Sequence, residues 1–415
     1  MTGNHRRVVV TGLGIISPVG IGKEAFWKSL IAGRSGIKRI TRFDASEYPC
    51  QVAGEVDDFD ALDYMPEKEA SRMDRSTQFA VAAEKMAVKD AKLKLDKEDP
   101  RRIGVSIGTT IGGAGFSYEQ HLTFLKEGPM KIHPHTASIT WPNACSTLVS
   151  LDVKAEGPSE TISNACVSSS EAVFHGMELI RTGEMDLVIS GGAESPLFPM
   201  FYSAFCLSKI VSNENSGNVK LPCPFDNRRD GTVIGEGAGL LILEDLEHAL
   251  ERDAFIYSEL TGYGITCDAS HMARPDYKGI SRAIQIALDE AGLSPEDIDY
   301  IHATGSGTRL GDLTETIAIK DALGRHAYRI PISSIKSMIG HTMGAAGAIE
   351  LAACVLALVN GVIPPTVNYE YPDPDCDLDY VPNTARVARL HAVLADCFGF
   401  GGKNTAVVVE RIDSV

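Results

Sequence analysis

The sequence predicts a layered α/β protein. Short apolar runs of strand length alternate with helix-length amphipathic runs along the 415 residues. The runs of the second half repeat the outline of the first, and no long Pro/Gly linker divides the two. Alternation of this kind favours helices packed on the faces of a sheet, here as two similar halves forming one body. The division is expected near Arg252 to Ile256, giving an N-terminal half over 1–255 and a C-terminal half over 256–415.

The elements follow in order. Val8-Val9-Val10-Thr11-Gly12-Leu13-Gly14 reads as a first core strand, short and glycine-broken. Lys23 to Ala32 and Arg75 to Asp90 read as helices, the second with Phe79, Ala80, Ala83 and Met86 on one face. Ile103 to Ile107 is a buried strand, and Leu187 to Glu194 a strand ending in a glycine turn. Ser159 to Ile162 is a short extended run before the helical Glu171 to Ile180. Gly239 to Glu244 closes the first half. In the second half, Tyr257 to Ile265 echoes the opening strand and its Gly-x-Gly turn. A helix over Gly279 to Glu290 and strands over Ile298 to His302 and Ile332 to Lys336 come next. A small-residue apolar helix over Gly344 to Leu358 precedes strands at Ala392 to Ala395 and Ala406 to Glu410. The segment Val211 to Arg229 (with Asn213, Asn215, Ser216, Gly217 and Asn218) is too rich in turn residues for regular structure, and Pro365 to Leu390 is a loop rich in Pro, Asp and Tyr. They read either as covers for a cleft between the halves or as surface wrapping.

Composition narrows the function. A formal charge of −16 argues against general nucleic-acid binding but leaves room for a local basic dock. No run of eighteen apolar residues suggests a membrane span. Nine scattered cysteines without CxxC spacing, and no secretion signal, predict a reducing cytoplasmic setting and no metal site. Gly12-x-Gly14 lacks the third glycine of a dinucleotide fingerprint, and Gly399 to Gly402 lacks the Gly-Lys-Ser/Thr ending of a phosphate loop.

Four segments carry chemistry. Cys166 sits where a strand-like run meets a helix N-terminus, a setting that favours the thiolate. Its alternative is an inert core cysteine. In Lys336-Ser337-Met338-Ile339-Gly340-His341, the histidine can donate Nε2–H to a thioester oxygen and the lysine can organise a carboxylate. A capping histidine and a surface lysine are the alternative. In His302-Ala303-Thr304-Gly305-Ser306-Gly307-Thr308, Ser306 and Thr308 can bond the amides of an extended ligand or merely their own loop. In Phe398-Gly399-Phe400-Gly401-Gly402, a backbone N–H can join that of Cys166 in an oxyanion hole, and Phe400 can gate a channel or fill a core.

Taken in order, these segments resemble the elongating, type II β-ketoacyl-acyl-carrier-protein synthases. Gly191-Gly192-Ala193-Glu194, Pro224-Phe225-Asp226, Arg229-Asp230-Gly231 and Gly235-Glu236-Gly237-Ala238-Gly239 add to the resemblance, which covers nearly the whole chain. It implies the duplicated thiolase-like fold, layered α-β-α-β-α, and transfer of an acyl group from carrier protein to the cysteine. Decarboxylative condensation with malonyl carrier protein would follow. It implies Cys166 as nucleophile, His341 as the second active-site histidine, Lys336 with Glu350 as its carboxylate companion, and the N–H groups of Cys166 and Phe400 as oxyanion donors. Ser306 and Thr308 would meet the pantetheine arm, with Asp312 supporting the loop. Phosphopantetheine would arrive on the acyl carrier protein, with no cofactor bound to the chain itself. A homodimer, or a heterodimer with a second synthase-like chain, is implied as well.

The resemblance breaks at one place. The family pattern Ala-His-Gly-Thr-x-Thr-x-x-Gly-Asp is matched without a gap by Ala303 to Asp312, so Thr304 takes the place of the first histidine. His302 lies two residues earlier, about 6–7 Å away on an extended strand. Ser168-Ser169-Ser170 after the cysteine, Ala273, and Asp396-Cys397 where Asn-Ser is typical are further departures. Threonine cannot supply a cationic acid, and losing one oxyanion donor costs about 3–4 kcal/mol in a transition state. The expected function is therefore acyl transfer through Cys166 with altered condensation, in fatty-acid or polyketide synthesis. The alternatives are a non-elongating transacylase that relays chains between carriers and a chain-length-factor-like structural partner.

Overall fold

The computed structural model describes residues 5–213, 215 and 220–412. Ten strands run across one mixed sheet: β1 (Val8–Ser17), β2 (Ile103–Gly108), β3 (Ser159–Ile162), β4 (Leu187–Glu194), β5 (Gly237–Asp245), β6 (Ser258–Cys267), β7 (Tyr300–His302), β8 (Ile332–Ser333), β9 (Ala392–Gly399) and β10 (Lys403–Glu410). Gly20–Ile21 adds an eleventh, folded back onto the end of β1.

The strand order is β8-β7-β9-β10-β6-β1-β5-β4-β2-β3. Read outward from the central β6/β1 pair, each side uses its own five strands in the same sequence. The N-terminal side runs β1, β5, β4, β2, β3 and the C-terminal side β6, β10, β9, β7, β8. Pair directions match too: β1/β5 and β6/β10 are antiparallel, and β2/β3 and β7/β8 parallel. The sparse sequence echo between the halves is thus a full echo of topology.

The helices sort into three layers. Among them are α1 (Lys23–Ile31), α2 (Arg75–Asp90), α3 (Ala114–Glu127), α4 (Ala144–Val153), α5 (Ser168–Arg181), α6 (Tyr277–Ala291), α7 (Arg309–Leu323) and α8 (Ala346–Asn360). Helices α5 and α8 lie between the two halves of the sheet and share one core with both, including Val173, Met177, Ile349 and Leu356. Helix α2 covers the outer face of the N-terminal strands, and α6 that of the C-terminal strands. The result is the expected α-β-α-β-α layering. Asp74, Asp276 and Thr308 cap α2, α6 and α7 by accepting N–H bonds in their first turns. Met343–Asn360 is long and apolar enough to cross a membrane, but 89% of it is buried inside the protein. It is the central core helix.

The glycine pairs correct one expectation. They make no turn after the first strand of either half; β1 and β6 run straight through them. A Cβ at Gly12 or Gly14 would lie 2.4 and 1.8 Å from the carbonyl oxygens of Ala87 and Ala83 on α2. At Gly262 and Gly264 it would lie 2.2 and 2.0 Å from those of Ala287 and Ala283 on α6. The glycines let a helix backbone rest directly on the strand in both halves. Gly191 and Gly192 likewise lie inside β4. Conversely Ile332 to Lys336 is strand only at Ile332–Ser333, and Lys336 begins the short helix Lys336–Ile339.

The two long loops behave differently. Lys209, Ile210, Asp230 and Thr232, which flank the first, line the cavity at Cys166. Within it, Ser216, Gly217 and Asn218 lie outside the described residues. The 365–390 segment wraps the C-terminal half instead, burying Cys376, Leu378 and Tyr380 in its outer core.

Candidate active site

A cavity of about 360 Å³ opens between the halves, with Cys166, His341 and Phe400 among its lining. Cys166 stands on a tight elbow between β3 and α5. Ala165 has φ 54°, in the left-handed region, which turns the chain sharply. Local bonds fix the bend: Asn164 N–H donates to Ser168 Oγ (2.8 Å), and Ser168 Oγ–H donates to the Ala165 carbonyl (2.6 Å). Ser169 Oγ accepts from Ala348 N–H at 3.0 Å, tying α5 to α8. The serine run after the cysteine is therefore structural stitching within the elbow and the central layer.

The thiol differs from expectation in its charge. Burial pushes it up to about 11, while the Lys336 cation and the Phe400 N–H pull it back. A helix N-terminus favours the thiolate, yet loss of water outweighs it, and the resting group is a neutral thiol.

His341 Nε2 lies 3.0 Å from Cys166 Sγ. Met343 N–H donates to His341 Nδ1 at 3.3 Å, so Nδ1 is the acceptor and the ring proton sits on Nε2, facing the sulfur. Burial and then Lys336 push the imidazole down to about 3, which keeps it neutral. The His341 backbone is held on both sides, its N–H donating to Val233 (2.7 Å) and its carbonyl accepting from Gly235 (2.9 Å).

Behind this pair Lys336 and Glu350 form a buried ion pair, each almost wholly inaccessible. Burial opposes the Lys336 charge, but the Glu350 carboxylate outweighs it and holds the ammonium above its usual range. Burial pushes Glu350 up to about 7 against the same attraction. Lys336 is thus no surface lysine.

The turn joining β9 to β10 brings Gly399 and Phe400 against the cysteine. A Cβ at Gly399 would lie 3.0 Å from Cys166 Cβ and 3.1 Å from its nitrogen, so only glycine fits comfortably. Phe400 N–H favours the Cys166 thiolate, and the residue is 39% exposed and lines the cavity, so it is no core aromatic.

Thr304 behaves unlike a site donor. It is buried and does not line the cavity. Its hydroxyl bonds Asp396 Oδ1 (3.1 Å) and accepts from Phe398 N–H (3.2 Å), and its N–H donates to Glu315 (2.6 Å) and Asp396 (2.9 Å). His302 does not replace it: the ring is fully buried, and Nε2 accepts from Ile335 N–H at 3.4 Å, away from the cavity. Neither side chain is among those that line the cavity at Cys166.

Ser306 and Thr308 do line the cavity. They also bond each other at 2.9 Å, and Thr308 caps α7 by accepting from Gly311 N–H at 3.0 Å. Asp312 gathers this loop, accepting from Phe225 N–H (2.8 Å), Gly307 N–H (3.0 Å) and Ser306 Oγ–H (3.1 Å).

Several residues escaped the sequence reading. Met343 sets the tautomer of His341 through a backbone N–H, which no side-chain pattern could reveal. Glu194 accepts from Thr110 N–H (2.5 Å) and Gly344 N–H (3.1 Å), joining two loops beside the cysteine. Glu315 follows Asp312 by three residues, on the same face of α7; that spacing was the available signal. Lys209, Arg274 and Arg309 put positive charge around the cavity.

With this geometry in view, the comparisons agree. The profile for "Beta-ketoacyl synthase, N-terminal domain" matches residues 5–249, and that for the C-terminal domain residues 257–370. A 3-oxoacyl-[acyl-carrier-protein] synthase 2 of Synechocystis is 45% identical, covering 98% of both chains. The tetracenomycin polyketide synthase ketoacyl synthase alpha subunit of Streptomyces glaucescens is 43% identical over 98% of this chain and 97% of that one. Among solved structures, the ishigamide ketosynthase/chain length factor superposes with a TM-score of 0.93 at 38% identity, covering 99% and 100% of the two chains. A type II polyketide ketosynthase in complex with its acyl carrier protein gives a TM-score of 0.92 at 36% identity, again covering 99% and 100%.

Proposed function

The chain belongs to the beta-ketoacyl synthase family, and from that premise we propose that it takes acyl groups from carrier-protein thioesters onto Cys166. It is a transferase of the ketosynthase kind, working in fatty-acid or type II polyketide synthesis. The observation that carries the proposed site is the 3.0 Å approach of His341 Nε2 to Cys166 Sγ inside a cavity large enough for a thioester arm.

The proposed steps are these. The Cys166 thiol loses its proton as its sulfur attacks the acyl carbonyl. The N–H groups of Cys166 and Phe400 receive the developing oxyanion. Collapse expels the pantetheine sulfur, which takes up the proton that the Cys166 thiol gave up, and leaves acyl-Cys166. His341 donates through Nε2–H throughout. Lys336 keeps its charge on Glu350 and lowers the cost of negative charge nearby. Ser306 and Thr308 bond the pantetheine arm, with Asp312 bracing their loop. Lys209, Arg274 and Arg309 supply the local basic dock that an acidic chain needs to meet an acidic carrier.

A second reading, non-elongating transfer between carriers, is supported by Thr304. Its hydroxyl is engaged by Asp396 and Phe398, so one imidazole stands where condensation would use two. The presence of Cys166, His341 and Lys336 together disfavours a purely structural partner.

The division into halves over 1–255 and 256–415 is part of this reading, supported by the repeated strand order. A dimer with a second chain of the same fold is supported by the open edge of β3 and the exposed Leu122, Leu125, Met130, Trp141 and Leu151 on and between α3 and α4.

Intact-mass measurement after incubation with acyl carrier protein tests the proposal. An adduct that disappears in Cys166→Ala is expected; no adduct on the parent protein overturns acyl transfer. Malonyl carrier protein is then added. Carbon dioxide and a product two carbons longer support condensation, and neither supports the relay.

A further inference from the structure

Three carboxyl groups and one ammonium lie together behind the cysteine. Glu315 on α7, Asp396 on β9 and Glu350 on α8 are all buried, and Lys336 is already paired with Glu350. Asp312 and Arg229 face one another beside Glu315, while Cys397 and Cys354 are the thiols on the Asp396 side.

Glu315 and Asp396 converge on a single donor. Glu315 Oε1 and Asp396 Oδ1 accept from the same Thr304 N–H at 2.6 and 2.9 Å. Glu315 Oε2 accepts from Gly305 N–H at 2.9 Å. Asp396 Oδ2 meets no N–H or O–H donor among the described residues, and the Asp396 and Glu315 carboxyls crowd the same Thr304 N–H. Two carboxyl groups can bond only through a proton, and two like charges this close and this dry cannot both persist.

The geometry points to one proton shared by Glu315 and Asp396, which makes Asp396 a positioning residue for the oxyanion strand. The acid pair grips Thr304, and the Thr304 hydroxyl holds Phe398 N–H, two residues before the Phe400 N–H that favours the Cys166 thiolate. Thr304 is thereby turned into a strut of the site. The positioning role rests on the function proposed above; the shared proton does not. Burial, the largest influence, and the neighbouring carboxylates raise Glu315, and burial raises Asp396.

Linkage gives the sign. Unfolded, both groups ionise above about pH 4–5, whereas the folded pair keeps one proton. Unfolding at neutral pH therefore releases a proton, and folded stability falls as pH rises until the pair itself ionises.

Infrared difference spectra of the whole protein against Asp396→Asn, Glu315→Gln and the double variant test this directly. A protonated-carboxyl C=O band, shifted in heavy water, is expected in the parent, moved in each single variant and lost in the double variant. No band lost with the double variant, or a band left unmoved by either single one, overturns the shared proton. Calorimetry at pH 7 in buffers of different ionisation enthalpy should show the parent releasing about one proton more on unfolding than the Asp396→Asn, Glu315→Gln double variant. Equal release overturns the proposal. Acylation of Cys166 reads the positioning role: a drop of about tenfold or more is expected for Asp396→Ala, with partial recovery in Asp396→Asn. Equal rates in all three proteins overturn that role and leave acyl transfer itself intact.

Discussion

His341 presents a protonated Nε2 to the Cys166 sulfur at 3.0 Å, because the Met343 N–H occupies the other ring nitrogen. Both partners rest neutral, the thiol pushed up to about 11 chiefly by burial and the imidazole down to about 3 chiefly by burial. The site is thus set to donate to a thioester oxygen more than to store a thiolate.

Alkylation of Cys166 should reveal that state. Below the thiol's value the thiolate fraction grows about tenfold per pH unit. The iodoacetamide rate, followed by intact mass, should climb steadily from pH 7 to about pH 10. A plateau near neutrality would show a thiolate already formed.

Replacing Thr304 with His should add an imidazole at the position where the resemblance leads one to expect it. Release of carbon dioxide from malonyl carrier protein should rise by about 10²-fold, the scale of one oxyanion donor. Unchanged turnover would mean that the new ring stays with Glu315 and Asp396.

Gly399→Ala brings a Cβ within 3.0 Å of Cys166 Cβ. Relieving that crowding is expected to cost about 1–3 kcal/mol and to displace the Phe400 N–H. Acyl-enzyme formation should slow at least about tenfold while the circular dichroism stays native. Full activity would remove the close approach as a constraint.

Lys336→Met leaves Glu350 buried without its partner. The expected loss is about 3–5 kcal/mol in urea titration near pH 8, where the parent's Glu350 is charged and the variant must bury that charge alone or bind a proton. The loss should shrink toward pH 5, because burial already pushes Glu350 up to about 7 and it then binds a proton. A pH-independent loss would assign the effect to packing.

The exposed apolar side chains of α3 and the segment after it predict association. Met130 and Leu125 are 91% and 66% exposed. Leu125→Glu with Trp141→Glu should shift the sedimentation mass toward one chain. A parent protein that sediments as a single chain would refute the dimer.

The sequence by itself determined the alternation of strands and helices, the layered class, and the cysteine, histidine, lysine and turn that compose the site. These are local or motif-borne: apolar period, cap residues and ordered segments are read without knowing what packs on them. It also marked Thr304 and Asp396 as departures. Only the tertiary structure decided what they do, because their meaning lies in contacts between residues far apart in the chain. Glu315 and Asp396 meet at one Thr304 N–H, although 81 residues separate them. The same holds for charge. A helix N-terminus promised a thiolate at Cys166, but burial by both halves removed the water a thiolate needs. The Gly-x-Gly pairs looked like turns from either side and proved to be the surface on which helices rest, a role set wholly by the partner backbone.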